Sequence, residues 1–77
     1  MKTYTVIIRI MDVTDTFEDI QDFVYGEFSL VEDIELSGQC GNRCRCKVTT
    51  KDDFDYGTFE DVMDKAGYDT EFIDLHE

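Results

Sequence analysis

Basic residues are scarce in this chain: seven Lys and Arg face nineteen Asp and Glu over 77 residues, a formal net charge of −12. That balance disfavours direct contact with DNA, RNA or an anionic membrane, whose own charge repels it. Proline is absent and no Ser- or Gly-rich stretch occurs, so nothing marks a linker between domains. No apolar run approaches the ~20 residues that cross a bilayer, and no cationic start precedes an apolar stretch and a small-residue cleavage site. Secretion is therefore not expected, and a cytoplasmic location is. The three cysteines are an odd number, which speaks against a closed disulfide framework and for reduced thiols. The only histidine, His76, lies at the C-terminal end, where neither a metal ligand nor a general base is expected. No catalytic motif is present, so an enzyme is not expected, and no cofactor is implied.

What is there is patterned. Apolar residues make up 42% of the chain and include six Phe and four Tyr, enough to argue against disorder despite the charge. The whole chain, 1–77, fits one domain, near the size at which buried surface narrowly outweighs chain entropy.

A repeat organises it. Thr16-Phe17-Glu18-Asp19-Ile20 returns as Thr58-Phe59-Glu60-Asp61-Val62, displaced by 42 residues, and Tyr4, Val6 and Ile8 fall on Cys46, Val48 and Thr50 at the same displacement. After the helices the displacement contracts by three, aligning Ile34-Glu35-Leu36 with Ile73-Asp74-Leu75. Each half, about 3–38 and 43–77, reads strand, helix, strand. The first strand is expected over 3–11, with Tyr4, Val6, Ile8 and Ile10 on one face. Thr16 resembles a helix N-cap, Phe17, Ile20 and Val24 recur at helical spacing, and Gly26 is the expected stop. Strands over 30–38 and 43–50 flank a hairpin turn at Gly41 and Asn42, a register that places Cys40 near Cys44. A second helix over 58–66 stripes Phe59, Val62, Met63 and Ala66 and ends at Gly67; a last strand covers 70–75.

Strand, helix, strand twice over, with right-handed crossovers, closes as a four-stranded antiparallel sheet with two helices on one face. This resembles the ferredoxin-like βαββαβ sandwich, an α+β architecture that hosts many unrelated functions. In it the first and third strands are central.

The charge is segregated. Residues 12–27 hold Asp12, Asp15, Glu18, Asp19, Asp22 and Glu27, and residues 52–64 hold Asp52, Asp53, Asp55, Glu60, Asp61 and Asp64, neither stretch relieved by Lys or Arg. At about 100° per residue, Asp15, Glu18, Asp19 and Asp22 oppose the apolar stripe of the first helix, and Glu60, Asp61 and Asp64 that of the second. The two helices thus turn out one acidic layer, with carboxylates at i,i+3 and i,i+4 roughly 5–6 Å apart, comparable to phosphates along a nucleic-acid strand. On the bare face of the sheet Ile7 and Arg9 join Arg43, Arg45 and Lys47, a locally cationic surface that Asp33, Glu35 and Asp74 can offset. It reads either as a self-neutralised solvated face or as a second binding surface.

Two further constellations have bland alternatives. Cys40, Cys44 and Cys46 form a C-x3-C-x-C cluster that reads as core packing, as ligands for a soft metal, or as a redox pair between Cys40 and Cys44. Asp53, Asp55 and Asp64 hint at a calcium loop, but Gly57 comes one residue early and no Glu closes it, so solvated charge is the expectation. The bare face lacks the stacking aromatics of RNA-recognition modules, and the loop Met11-Asp12-Val13-Thr14-Asp15 lacks both the CxxC of metallochaperones and the anion-binding arginine of acylphosphatases.

In size and charge the chain resembles small inhibitory proteins of bacteriophages, among them DNA-mimicking anti-restriction and anti-CRISPR proteins. That resemblance implies a non-enzymatic binder, in host cytoplasm, whose acidic helical layer docks on a basic, nucleic-acid-binding protein. A metal or redox protein using the cysteines, and a self-associating regulatory or structural subunit using the bare sheet, are the alternatives. Monomer and homodimer both remain open.

Overall fold

The computed structural model describes residues 1–10 and 15–76. Six elements follow in order: β1 (Lys2–Ile10), α1 (Phe17–Glu27), β2 (Val31–Cys40), β3 (Arg43–Thr50), α2 (Tyr56–Lys65) and β4 (Tyr68–His76). The strands form one antiparallel sheet in the order β2-β3-β1-β4, so β1 and β3 are central, as a ferredoxin-like sandwich requires. The end expected for the first strand at Met11, and the acidic loop after it, lie outside the described residues.

Alternation in β1 builds the core. Tyr4, Val6, Ile8 and Ile10 are buried, and the first three stand opposite Val48, Cys46 and Cys44 of β3, which are buried too. Ile20 and Val24 of α1 and Phe59 and Met63 of α2 close over the same cluster, which places both helices on one side of the sheet. Helix α1 packs on β2 and α2 on β4, so each covers one half of the sheet. Aromatic rings join the halves: Phe28, after α1, lies 4.9 Å from Phe59, and Phe23 lies 5.6 Å from Tyr68.

The turns are set by local chemistry. Gly41 takes φ 61° at the first of the two hairpin positions, where only glycine adopts a positive angle without strain. The tip is tied to β1, since the Ile10 N–H donates to the Asn42 carbonyl at 2.8 Å and the Asn42 amide returns a bond to the Ile10 carbonyl. Gly67, at φ 93°, ends α2 as expected. Gly26 does not end α1: the helix continues to Glu27 and Phe28 closes it, its N–H donating to the Val24 carbonyl at 2.9 Å. The docking of the Phe28 ring against Phe59 sets the stop.

The helices do not follow the sequence repeat. Thr16 is the N-cap of α1, but the N-cap of α2 is Asp55, not Thr58, and α2 begins two residues before the expected start. Superposing caps aligns Thr16 with Asp55, Ile20 with Phe59 and Val24 with Met63, a displacement of 39 rather than 42. Each of those apolar pairs is fully buried, whereas Phe17, the motif partner of Phe59, is only half-buried, and Ala66 at the end of the expected stripe is exposed. Asp55 won the cap because its carboxylate accepts from both the Thr58 N–H, at 3.3 Å, and the Thr58 hydroxyl, at 2.6 Å.

Candidate acidic interaction surface

Burial of one stripe of each helix fixes where the carboxylates go. Glu18, Asp19 and Asp22 of α1 and Glu60, Asp61 and Asp64 of α2 are exposed, and Asp15, just before α1, is half-buried. The structure sorts these acids by what they already do. Asp19 completes the turn into α1, accepting the Thr16 N–H at 2.8 Å, the carboxylate half of a capping box. Asp61 pairs with Lys65 at 3.1 Å along α2. The carboxylates of Glu18, Asp22 and Asp64 make no hydrogen bond or ion pair among the described residues and stand in solvent. Glu60 is coupled to Tyr56, whose phenol is pushed up to about 12, first by burial and then by the nearby Glu60 charge.

Keeping these charges is costly for the fold. Glu18 with Asp22, and Glu60 with Asp64, are like-charge neighbours one helical turn apart, each destabilising by about 0.2–0.5 kcal/mol. The last turn of α1 carries no basic residue to meet the negative end of the helix dipole. Between α2 and β4 the acids Glu60, Asp61, Asp64 and Asp69, with Gly57 and Thr70, line an open cleft of about 350 Å³, large enough for the head of an incoming cationic side chain. Asp69 was not singled out by sequence.

The bare face carries Ile7, Arg9, Arg43, Arg45 and Lys47 as expected, with Ile7 opposite Arg45 and Arg9 opposite Arg43. Its neutralisation comes from other acids than anticipated. Arg9 pairs with Asp69 at 3.6 Å and Arg43 with Glu71 at 3.7 Å, whereas Asp33 accepts the Tyr25 hydroxyl instead. A bulge explains the exchange: Asp74 opposes Thr5 and Phe72 opposes Val6, so the extra residue Ile73 restores Glu71 and Asp69 to the bare face. Plain alternation from Asp74 turns both acids into the core. Arg45 and Lys47 have no ion pair among the described residues. Ile7, Gly38, Gln39, Cys40, Arg43 and Arg45 surround a shallow groove of about 310 Å³.

The cysteines do not converge. A second bulge, at Ser37 between Leu36 and Gly38, shifts β2 by one residue, so Cys40 opposes Arg43 on the bare face and Gln39 takes the place beside Cys44. The Ser37 hydroxyl holds the bulge by donating to the Arg45 carbonyl at 3.0 Å. Cys40 is exposed, while Cys44 and Cys46 are buried on the opposite face and act as small core residues. Burial raises both inner thiols, Cys46 to about 12 with the neighbouring Cys44 adding to it. No group of three metal-ligating side chains occurs among the described residues, and Asp55, one arm of the calcium-like pattern, is engaged as the α2 cap.

No family model matches the chain, and neither a curated protein nor a solved structure matches it. Among the described residues no helix is long and apolar enough to cross a membrane.

Proposed function

We propose that this chain is a non-enzymatic binding protein that docks its acidic helices on a basic surface of another protein. The observation that carries the reading is the set Glu18, Asp22 and Asp64: exposed carboxylates, on two helices that share one side of the sheet, with no internal use. A face kept for solubility alone has no need to hold like charges one turn apart, at a cost to helix stability. Asp15, Asp19, Glu60 and Asp61 extend the surface, and the cleft between α2 and β4 receives Lys or Arg side chains. A nucleic-acid-binding groove is the basic surface most densely furnished with such groups, and blocking one is the action of a phage-type inhibitor. Direct nucleic-acid and membrane binding are disfavoured by the net charge of −12.

The test is capture of partners on immobilised protein at low salt, followed by salt elution. Electrostatic docking predicts release between about 0.1 and 0.5 M salt, as the screening length falls below the reach of the charges. Replacing Glu18, Asp22 and Asp64 together by Lys should slow association with whatever is captured; unchanged kinetics at low salt would eliminate this surface.

A second reading, self-association through the bare sheet, is favoured by one observation, the groove beside half-buried Ile7 with unpaired Arg45 at its rim. Ile7→Lys should dissolve a dimer formed there and leave a solvated face unaffected, which sedimentation distinguishes.

A further inference from the structure

The two edges of the sheet are treated differently. At β2 the outer edge is blunted: bulges follow Val31 and Leu36, and α1 reaches over the backbone. The Ile34 N–H donates to the Tyr25 hydroxyl at 3.1 Å, and the Gln21 side chain donates to the Ile34 carbonyl at 2.9 Å. Such devices keep an edge from pairing with another chain. Over residues 69–75 of β4 no other element bonds to the outer edge among the described residues; the Asp74 carboxylate accepts the Leu75 N–H at 2.8 Å. The strand contains neither Pro nor Lys. It also concentrates exposed apolar side chains, Phe72 at 48%, Ile73 at 41% and Leu75 at 37%.

We propose that the outer edge of β4 accepts an extended segment of the basic partner as a fifth strand, in which basic and apolar residues alternate. The inference rests on the acidic-docking reading and specifies how the partner is held. Backbone hydrogen bonds from the open edge supply affinity, and the two faces of β4 supply the selection. Its helix-side face presents Phe72, backed by Tyr56 at 5.5 Å and Tyr4 at 6.5 Å, together with Leu75 opposite Tyr4, and so takes apolar side chains. Its bare-face side presents Asp74 and the acids Asp69 and Glu71, whose pairs with Arg9 and Arg43 are long, at 3.6 and 3.7 Å, and exposed. Such pairs are worth little, so a Lys or Arg on the added strand can share these carboxylates. A second copy of β4 is a poorer occupant, because its own acids would face these across the new pair, and like charges directly opposite destabilise a ladder.

The experiment titrates the intact protein at low salt with three synthetic nonapeptides: alternating Val and Lys, the same composition with the Lys clustered at one end, and alternating Ser and Lys. Amide hydrogen exchange and chemical shifts are followed along the chain. The alternating Val–Lys peptide should slow exchange selectively over residues 69–75, and Leu75→Lys should weaken its binding about tenfold, the effect of losing ~1.4 kcal/mol. Leu75→Ser, which adds no charge, should weaken it less and guards against misfolding in the first variant, with circular dichroism as the check. Equal binding of all three peptides, with shifts confined to the helices, would overturn the edge proposal while leaving the acidic surface standing. Binding of none of them would overturn both. A dimer in the absence of peptide that Leu75→Lys dissolves would assign the edge to a second copy and refute the peptide occupant.

Discussion

Replacing Phe59 by Ala should nearly unfold this protein, and replacing Phe17 by Ala should not. The two residues occupy the same place in the repeated Thr-Phe-Glu-Asp motif, so a sequence alignment gives them equal weight. In the structure Phe59 is fully buried, with rings of Phe28, Phe54 and Tyr56 at 4.9, 5.6 and 5.8 Å, while Phe17 lies half-exposed in the first turn of α1. Truncating a buried Phe costs about 3–5 kcal/mol in lost transfer energy and unfilled cavity. A 77-residue domain has about 4–12 kcal/mol in all. Phe59→Ala therefore removes a large share of the stability, Phe17→Ala only about 1–2 kcal/mol, and Ile20→Ala, at the true structural counterpart of Phe59, about 2–5 kcal/mol. Urea unfolding followed by far-ultraviolet circular dichroism measures all three. If Phe17→Ala costs as much as Phe59→Ala, the helices sit in the register of the sequence motif, and the placement of every acid on α2 derived above is wrong.

Other expectations follow from the same geometry. In the native protein a thiol reagent should modify Cys40 alone, with Cys44 and Cys46 reacting only on unfolding; fast reaction of all three would contradict their burial. Asp55→Ala should lower the melting temperature at neutral pH, because the bonds from Thr58 that hold the Asp55 carboxyl below its usual range cap α2. That contribution is present above the unfolded carboxyl pKa and is lost as pH falls through the folded value, so the variant and parent should converge in acid. At the alkaline end the sign reverses: the unfolded phenol ionises near pH 10 while Tyr56 resists to about 12, so stability should fall as pH rises through that window. Tyr56→Phe should remove part of the fall, the buried Cys46 supplying another part. Added salt should raise the urea midpoint, since a net charge of −12 repels itself; a lowered midpoint would indicate that the surviving ion pairs matter more than the repulsion.

The βαββαβ order, the central positions of β1 and β3 and the buried face of β1 were legible from alternation and helical spacing, because those signals are local. So were the caps at Thr16 and Gly67 and the turn at Gly41. The bulges were not, because nothing local in Ser37 or Ile73 announces an extra residue; only the competition for register with β3 and β1 does. Those two residues account for the separation of Cys40 from Cys44 and for the presence of Asp69 and Glu71 on the bare face. The start of α2 was obscured by the repeat itself, since Thr58 looks like Thr16 until Asp55 is weighed as a stronger acceptor three residues earlier. Sequence also could not divide the acids into those engaged within the fold, such as Asp19 and Asp61, and those whose carboxylates stand in solvent.

The central claim is that the outward carboxylates of α1 and α2 recognise a basic protein surface. Its most direct test compares the parent and the Glu18→Lys, Asp22→Lys, Asp64→Lys triple variant, both immobilised at low salt and exposed to the same native-host lysate. Docking predicts basic proteins retained by the parent, eluted by salt, and missing from the folded variant. An identical set of proteins retained by both would contradict it.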